Sequence, residues 1–298
     1  MTRFSLFTPE KRDFFLQGAD IFEFGDINTN GRPFFSRKLG LSQSGKPLSI
    51  NYGAKLTGQL NDTRFGILAI NQEADTAKSQ NTSVAVARVN HQVSDAFTLG
   101  AIATLGSATK DRAAKTFGLD WQFRNKSFLS GDTIELKGWF QESNQRGENS
   151  RFTDNAYQVG IYLPNEYTNA KLAYTKISGQ FAPALGFINR TAIKQVDGWL
   201  SITSPVKFSW ANNSYHTLIF DRISSLDGEL ISKNIFADLL DITTSNQQHF
   251  RLSRQYSFEN ITQPFLLLGE VNIPIGSYSD HLWEIATESD HSKSFSYQ

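Results

Sequence analysis

The chain has 298 residues, 39% hydrophobic and 13% aromatic with 24 Phe, and balances 29 Lys plus Arg against 29 Asp plus Glu. Zero net charge removes the basic face that a general nucleic-acid binder needs, and the lack of cysteine removes disulfides, thiolate zinc sites and thiol nucleophiles. Few aliphatics with many aromatics suit thin apolar bands edged by aromatic girdles rather than a thick two-sided core.

The first 35 residues stand apart. Phe4, Phe7, Phe14, Phe15, Phe22, Phe24, Phe34 and Phe35 surround Glu10, Lys11 and Arg12. This segment reads as turns and short helix that pack against the mouth of a larger structure or plug it. The start lacks the apolar core of a signal peptide, and no run of 18 apolar residues exists to form a membrane helix.

From residue 36 on, the pattern is that of strands. After a first one near Ser36–Ser42, Leu48, Ile50, Tyr52, Ala54 and Leu56 alternate with Ser49, Asn51, Gly53, Lys55 and Thr57. Further runs are expected at 64–72, 82–93, 97–106, 114–124, 131–141, 155–163, 169–178, 195–203 and 213–222. Less regular ones follow at 231–241, 248–256, 264–272 and 278–288, about fifteen in all. The clearest pair is the hairpin Lys115–Gln141. There Phe117, Leu119, Trp121 and Phe123 oppose Asp120 and Arg124, and Ile134, Leu136, Gly138 and Phe140 oppose Glu135 and Lys137. Successive strand side chains point to opposite faces, so each run is a ribbon with one apolar and one polar face.

Connections alternate in length. Short ones lie at Asn61-Asp62, Ser94-Asp95, Asn125–Gly131 and Pro164–Thr168, and longer polar ones at 73–81, 107–113, 142–154 and 178–194. Outer-membrane barrels pair short periplasmic turns with long outer loops, and about ten residues of tilted strand cross a bilayer. The fold expected is therefore all-β: an antiparallel, up-and-down transmembrane β-barrel over 36–298, or an incomplete segment of a larger one. Such a chain is exported, so a lost leader is expected, and Ser292–Gln298 reads as a cut rather than a barrel end.

In the cleanest runs the polar face holds Lys55, Arg88, Asp120, Arg124, Glu135, Lys137 and Asp197, and the other face is nearly free of charge. Charge on a lipid face costs about 2–4 kcal/mol at the midplane. The polar set is thus expected to line a lumen, joined there by Trp139 and Trp199, where the mixed signs pair across strands. Trp121, Trp210, Tyr157 and Tyr174 fit interface belts.

Chemistry-bearing motifs are sparse. Asp26, Asn28 and Asn30 before Gly31 match the first half of a calcium loop, but the twelfth position is Arg37 rather than a bidentate Glu, and an Asx-rich turn explains them. The five histidines lack metal-ligand spacing. No G-x-S-x-G or phosphate-binding glycine loop occurs. Asp238 and Asp241, three apart in a candidate strand, are expected on opposite faces, where they cannot share a glycosidase site. No cofactor is called for, and no catalytic constellation is visible.

The strings Phe4-Ser5-Leu6-Phe7-Thr8-Pro9-Glu10-Lys11-Arg12-Asp13-Phe14-Phe15-Leu16, Phe35–Gly40, Gly53–Gly58 and Leu185-Gly186-Phe187-Ile188-Asn189-Arg190 resemble an outer-membrane β-barrel family. That family is found C-terminal to family nine-like carbohydrate-binding modules. Asp13 departs from it, since relatives usually carry proline there. The resemblance implies a Gram-negative cell-envelope protein in the outer membrane, in contact with lipid and linked to carbohydrate, and it brings no catalytic residue. The function expected is a channel or scaffold connected with glycan or other polymer handling. The alternatives are a surface glycoside hydrolase and a soluble carbohydrate-binding β module.

Overall fold

The computed structural model describes residues 7–27, 29–42, 44–73, 81–108, 114–128, 131–146, 151–206, 209–267, 270–290, 292 and 296–297. Phe4, Asn28 and His291 lie outside them. The chain is all-β. The strands are β1 (Ile50–Leu60), β2 (Thr63–Gln72), β3 (Thr82–Ser94), β4 (Phe97–Leu105), β5 (Ala114–Phe128), β6 (Asp132–Arg146), β7 (Arg151–Pro164), β8 (Thr168–Ile177), β9 (Ile193–Pro205), β10 (Ala211–Ser225), β11 (Leu230–Thr244), β12 (His249–Ile261), β13 (Phe265–Leu267), β14 (Val271–Ile273) and β15 (Gly276–Glu288).

Thirteen of these form one sheet in the order β1 to β12 followed by β15, each pairing antiparallel with its neighbour. Strands β13 and β14 pair only with each other. The expected strand at 264–272 is therefore a small hairpin in the connection between β12 and β15. The expected strand near Ser36–Ser42 is a helical turn, Ser36–Lys38, followed by a lone bridge from Leu41 to Pro47. Gly40 explains the break: its positive φ of 76° ends extended backbone before a strand can form.

Among the described residues β1 and β15 do not pair with each other, so the sheet is open rather than closed. With thirteen strands in a meander, the two edge strands also run in the same direction.

The connections at one end of the sheet span two to five residues: 61–62, 95–96, 129–131, 165–167, 206–210 and 245–248. Asn61 serves the first of these with φ of 49°, the left-handed conformation that a two-residue hairpin demands. The other end carries 73–81, 106–113, 178–192 and 262–275, though strands extend to leave only 147–150 and 226–229 there. Most of the expected 142–154 loop is thus strand.

The alternation assigns two faces. The inner face carries Leu68, Ile70, Val84, Val86, Ile102, Trp139, Ile177 and Ile193, all buried, beneath Phe15, Phe22, Phe24 and Leu39 of the N-terminal segment and Phe181 and Leu185 of the 178–192 loop. Burying a Phe contributes about 1.5–3 kcal/mol, so this cluster is the main apolar core. The outer face leaves Leu56, Ile67, Leu99, Phe117, Leu119, Phe140, Val159 and Leu172 exposed.

Candidate functional site

The N-terminal segment crosses the inner face of β1 to β6, and the sheet is shaped to receive it. Gly66 of β2 lies under Phe22 and Ile21, and Gly118 of β5 lies under Phe24; a Cβ at either would stand within 3.0 Å of a ring or side-chain carbon. Gly25 packs with its α-carbon against the Trp139 indole. Trp139 is only 3% exposed, so it is sealed beneath the segment and offers no ring face to a ligand. Trp199 is also on the inner face, half-buried, and in register with Lys171.

The polar residues expected on one face are on one face, and each has a partner. Lys55 Nζ donates to the carbonyls of Phe14 and Gln17, the latter at 2.5 Å. Arg88 grips Asp120 through two bonds of 2.5 and 2.8 Å, and its guanidinium lies 5.4 Å from the Phe24 ring centre. Asp120 also accepts the Gly25 N–H at 3.1 Å. Arg124 Nε donates to Glu135 at 2.6 Å. Lys137 reaches Asp26 at 2.7 Å and Glu135 at 3.1 Å. A cavity of about 300 Å³ remains between these groups and residues 20–26. Three further inner-face pairs join residues of which only Asp197 was expected on this face: Arg64 with Asp20, Lys171 with Asp197 at 2.6 Å, and Gln195 with Asp221. The last two join adjacent strands at diagonal positions, which only register reveals.

The strings that carry the resemblance converge. Arg12 lies 4.2 Å over the Phe15 ring and donates to the carbonyls of Leu39 and Ser36, each at 2.8 Å. Phe7, Phe35 and Phe187 form a three-ring cluster with centre distances of 4.9, 5.5 and 5.3 Å. Gly186 sits so close to the Arg32 carbonyl that no side chain fits, and Arg32 pairs with Phe187 through a backbone bridge. Phe14 is exposed beside Lys55, and Lys11 is exposed.

Glu10 is the hub of that cluster. Its carboxylate accepts from Arg12 Nε and Nη2 at 2.9 and 2.8 Å, from the Ser36 hydroxyl at 2.7 Å, and from the backbone of Lys11 and Arg12. Burial raises its pKa, but the Arg12 and Ser36 bonds and the two backbone N–H groups together outweigh burial and bring it down to about 2.

The calcium-loop residues are engaged otherwise. Asp26 pairs with Lys137, and the Asn30 side chain accepts from the backbone N–H of Asn189 and Arg190 at 2.7 and 3.2 Å. It clips the 178–192 loop to the N-terminal segment. Asn28 lies outside the described residues.

Asp238 and Asp241 correct the sequence reading. A bulge interrupts the β11–β12 register, so Asp238 faces Ser253 while Asp241 faces Arg251, two residues along the same face. The extra residue, Leu239, restores parity. Asp241 meets His249 at 2.6 Å, and Arg251 pairs with Glu284 of β15. Asp238 Oδ1 and Arg251 Nε are buried without a hydrogen-bond partner. This polar cluster is the nearest approach to a catalytic arrangement, and no local pattern marks it. Of the other described histidines, His91 bonds the Thr63 hydroxyl at 2.8 Å on the outer face, and His281 stacks near Tyr256.

No protein family, curated protein or solved structure matches this chain.

Proposed function

We propose that the chain is a bacterial outer-membrane β-barrel protein whose interior is held by its own N-terminal segment. It acts as a scaffold or channel in glycan or other polymer handling at the cell envelope. The observation that carries the reading is sidedness. The outer face of β1 to β4 bears no Lys, Arg, Asp or Glu, while the inner face of the same sheet holds Arg88 and Lys55. Exposed apolar residues on that scale need a nonpolar partner, and lipid supplies one. The four longest connections, 73–81, 106–113, 178–192 and 262–275, all lie at one end, which supports the same reading. The inner pairs around Lys137 and Arg88 and the packed segment favour a narrow lumen over an open pore. The glycan connection rests on the resemblance of the four strings.

The deciding experiment is extraction and gel mobility. The protein should require detergent, and its band should shift on boiling. Release into buffer without detergent, as a folded species, overturns the barrel. Planar-bilayer recordings then separate scaffold from channel, since a folded protein without conductance has no open pore.

Hydrolysis is a second reading, favoured only by Asp238 and Asp241 sharing a face beside His249. Release of reducing sugar that Asp241→Asn abolishes supports it; no release from glycan substrates removes it.

A further inference from the structure

The outer face is not uniformly apolar. Four cations gather on it where β8, β9, β10 and β11 approach the long-loop end. Lys176 stands directly opposite Lys194, and Arg222 directly opposite Lys233. The two pairs lie in adjacent rows, because Val196, two residues from Lys194, faces Arg222. Their orientation is fixed by their neighbours: Ile177, Ile193, Ile223 and Ser232 are buried on the inner face, so the residues beside them point outward.

Like charges directly opposite on a sheet destabilise it. No carboxylate of these four strands shares the face near them, since Asp197 and Asp221 are inner-face residues engaged with Lys171 and Gln195. Asp227 and Glu229 lie in the turn beyond the cluster. Lys194 Nζ donates to the Leu226 carbonyl at 2.6 Å, and Lys233 Nζ lies 5.8 Å from the Tyr256 ring centre. These contacts orient two of the cations without neutralising them. The next row toward the middle of the sheet is apolar: Leu172, Gly198, Phe220, Ile235 and Tyr256.

Cations above an apolar and aromatic band match a membrane lipid, with phosphate at the cations and acyl chains along the band. We propose that Lys176, Lys194, Arg222 and Lys233 form a binding site for the phosphate headgroup of an anionic lipid in the leaflet at the long-loop end. Among the described side chains, the other basic residues on this face, Lys115 of β5 and Arg254 of β12, stand singly; Arg254 instead stacks 5.0 Å over Trp283. The proposal rests on the barrel reading, because it needs this face to meet lipid.

Native mass spectrometry of the detergent-solubilised protein tests it, with lipid A bearing two phosphates, lipid A lacking phosphate, and inorganic phosphate as probes. Preferential retention of the phosphorylated lipid is expected. Lys176→Gln with Arg222→Gln should weaken it by roughly 25-fold, about fivefold per charge. Lys115→Gln should leave it unchanged. Equal retention of both lipids, or no effect of the double substitution, overturns the site. Inorganic phosphate bound as tightly as the lipid overturns the lipid source. Each variant is first checked for the boiling-dependent band shift, which keeps misfolding separate. If detergent is not needed for extraction, the barrel reading fails; if it is needed but the lipids bind equally, only the lipid site fails.

Discussion

Arg88 of β3 and Asp120 of β5 bond across the strand between them because Gly100 of β4 has no side chain. A Cβ at Gly100 would collide with both the carboxylate and the guanidinium. The side chain of Arg88 is 3% exposed and that of Asp120 13% exposed. Removing one partner therefore strands a buried charge.

Asp120→Ala is expected to cost about 3–5 kcal/mol. Arg88→Met with Asp120→Leu should recover most of that, since neither leaves an unpaired charge. Denaturant unfolding in detergent reads both. Equal stability of the single variant and the parent would show that the pair is not the anchor described.

The N-terminal segment should depend on the glycines beneath it. Gly118→Val places two methyl groups where the Phe24 ring lies and should displace the segment, as should Phe24→Ala at about 3–5 kcal/mol. Limited proteolysis would then cut within residues 7–42 while the strands persist. Full protection in both variants would mean that other contacts hold the segment.

Glu10 predicts an acid response. Its folded pKa of about 2 lies below the ordinary value of 4.5, so folding favours the ionised form. That stabilisation is complete above about pH 5 and fades as pH falls from 4.5 through 2. Protease sensitivity of residues 7–42 should rise over that window. Glu10→Gln should be equally sensitive at pH 7 and pH 3; a parent-like pH profile in this variant would assign the response to another group.

The membrane reading predicts an asymmetry between neighbours on β5. Leu119 is exposed on the outer face and Gln122 lies on the inner face. Leu119→Arg should lower folding yield into lipid vesicles by about 2–4 kcal/mol equivalent, whereas Gln122→Arg should change it little. Equal yields would place Leu119 in water.

Deleting Leu239 should remove the bulge and leave Asp241 opposite Arg251 on the inner face. A cysteine at 241, in a chain with no native cysteine, should then keep the maleimide labelling that it shows in the parent. A changed labelling would show that the register slips along the strand instead.

The sequence by itself determined most of the strands and their faces, because a period of two acts over a few residues; it missed the turn at 36–38, the hairpin at 265–273 and the strand ends within 142–154. The hairpin of β5 and β6 was legible down to which side chains share a face. Arg88 and Asp120 were legible as inner residues, but not as partners. Tertiary structure alone decided three things: the seating of Phe22 and Phe24 over Gly66 and Gly118, the meeting of residues 10–16 with 36–40 and 185–190, and the bulge that unites Asp238 with Asp241. Each depends on volume or register between segments far apart in the chain. A missing side chain on one strand acquires meaning only when a ring from another segment fills the space, and one extra residue in a ladder shows only against the strand beside it.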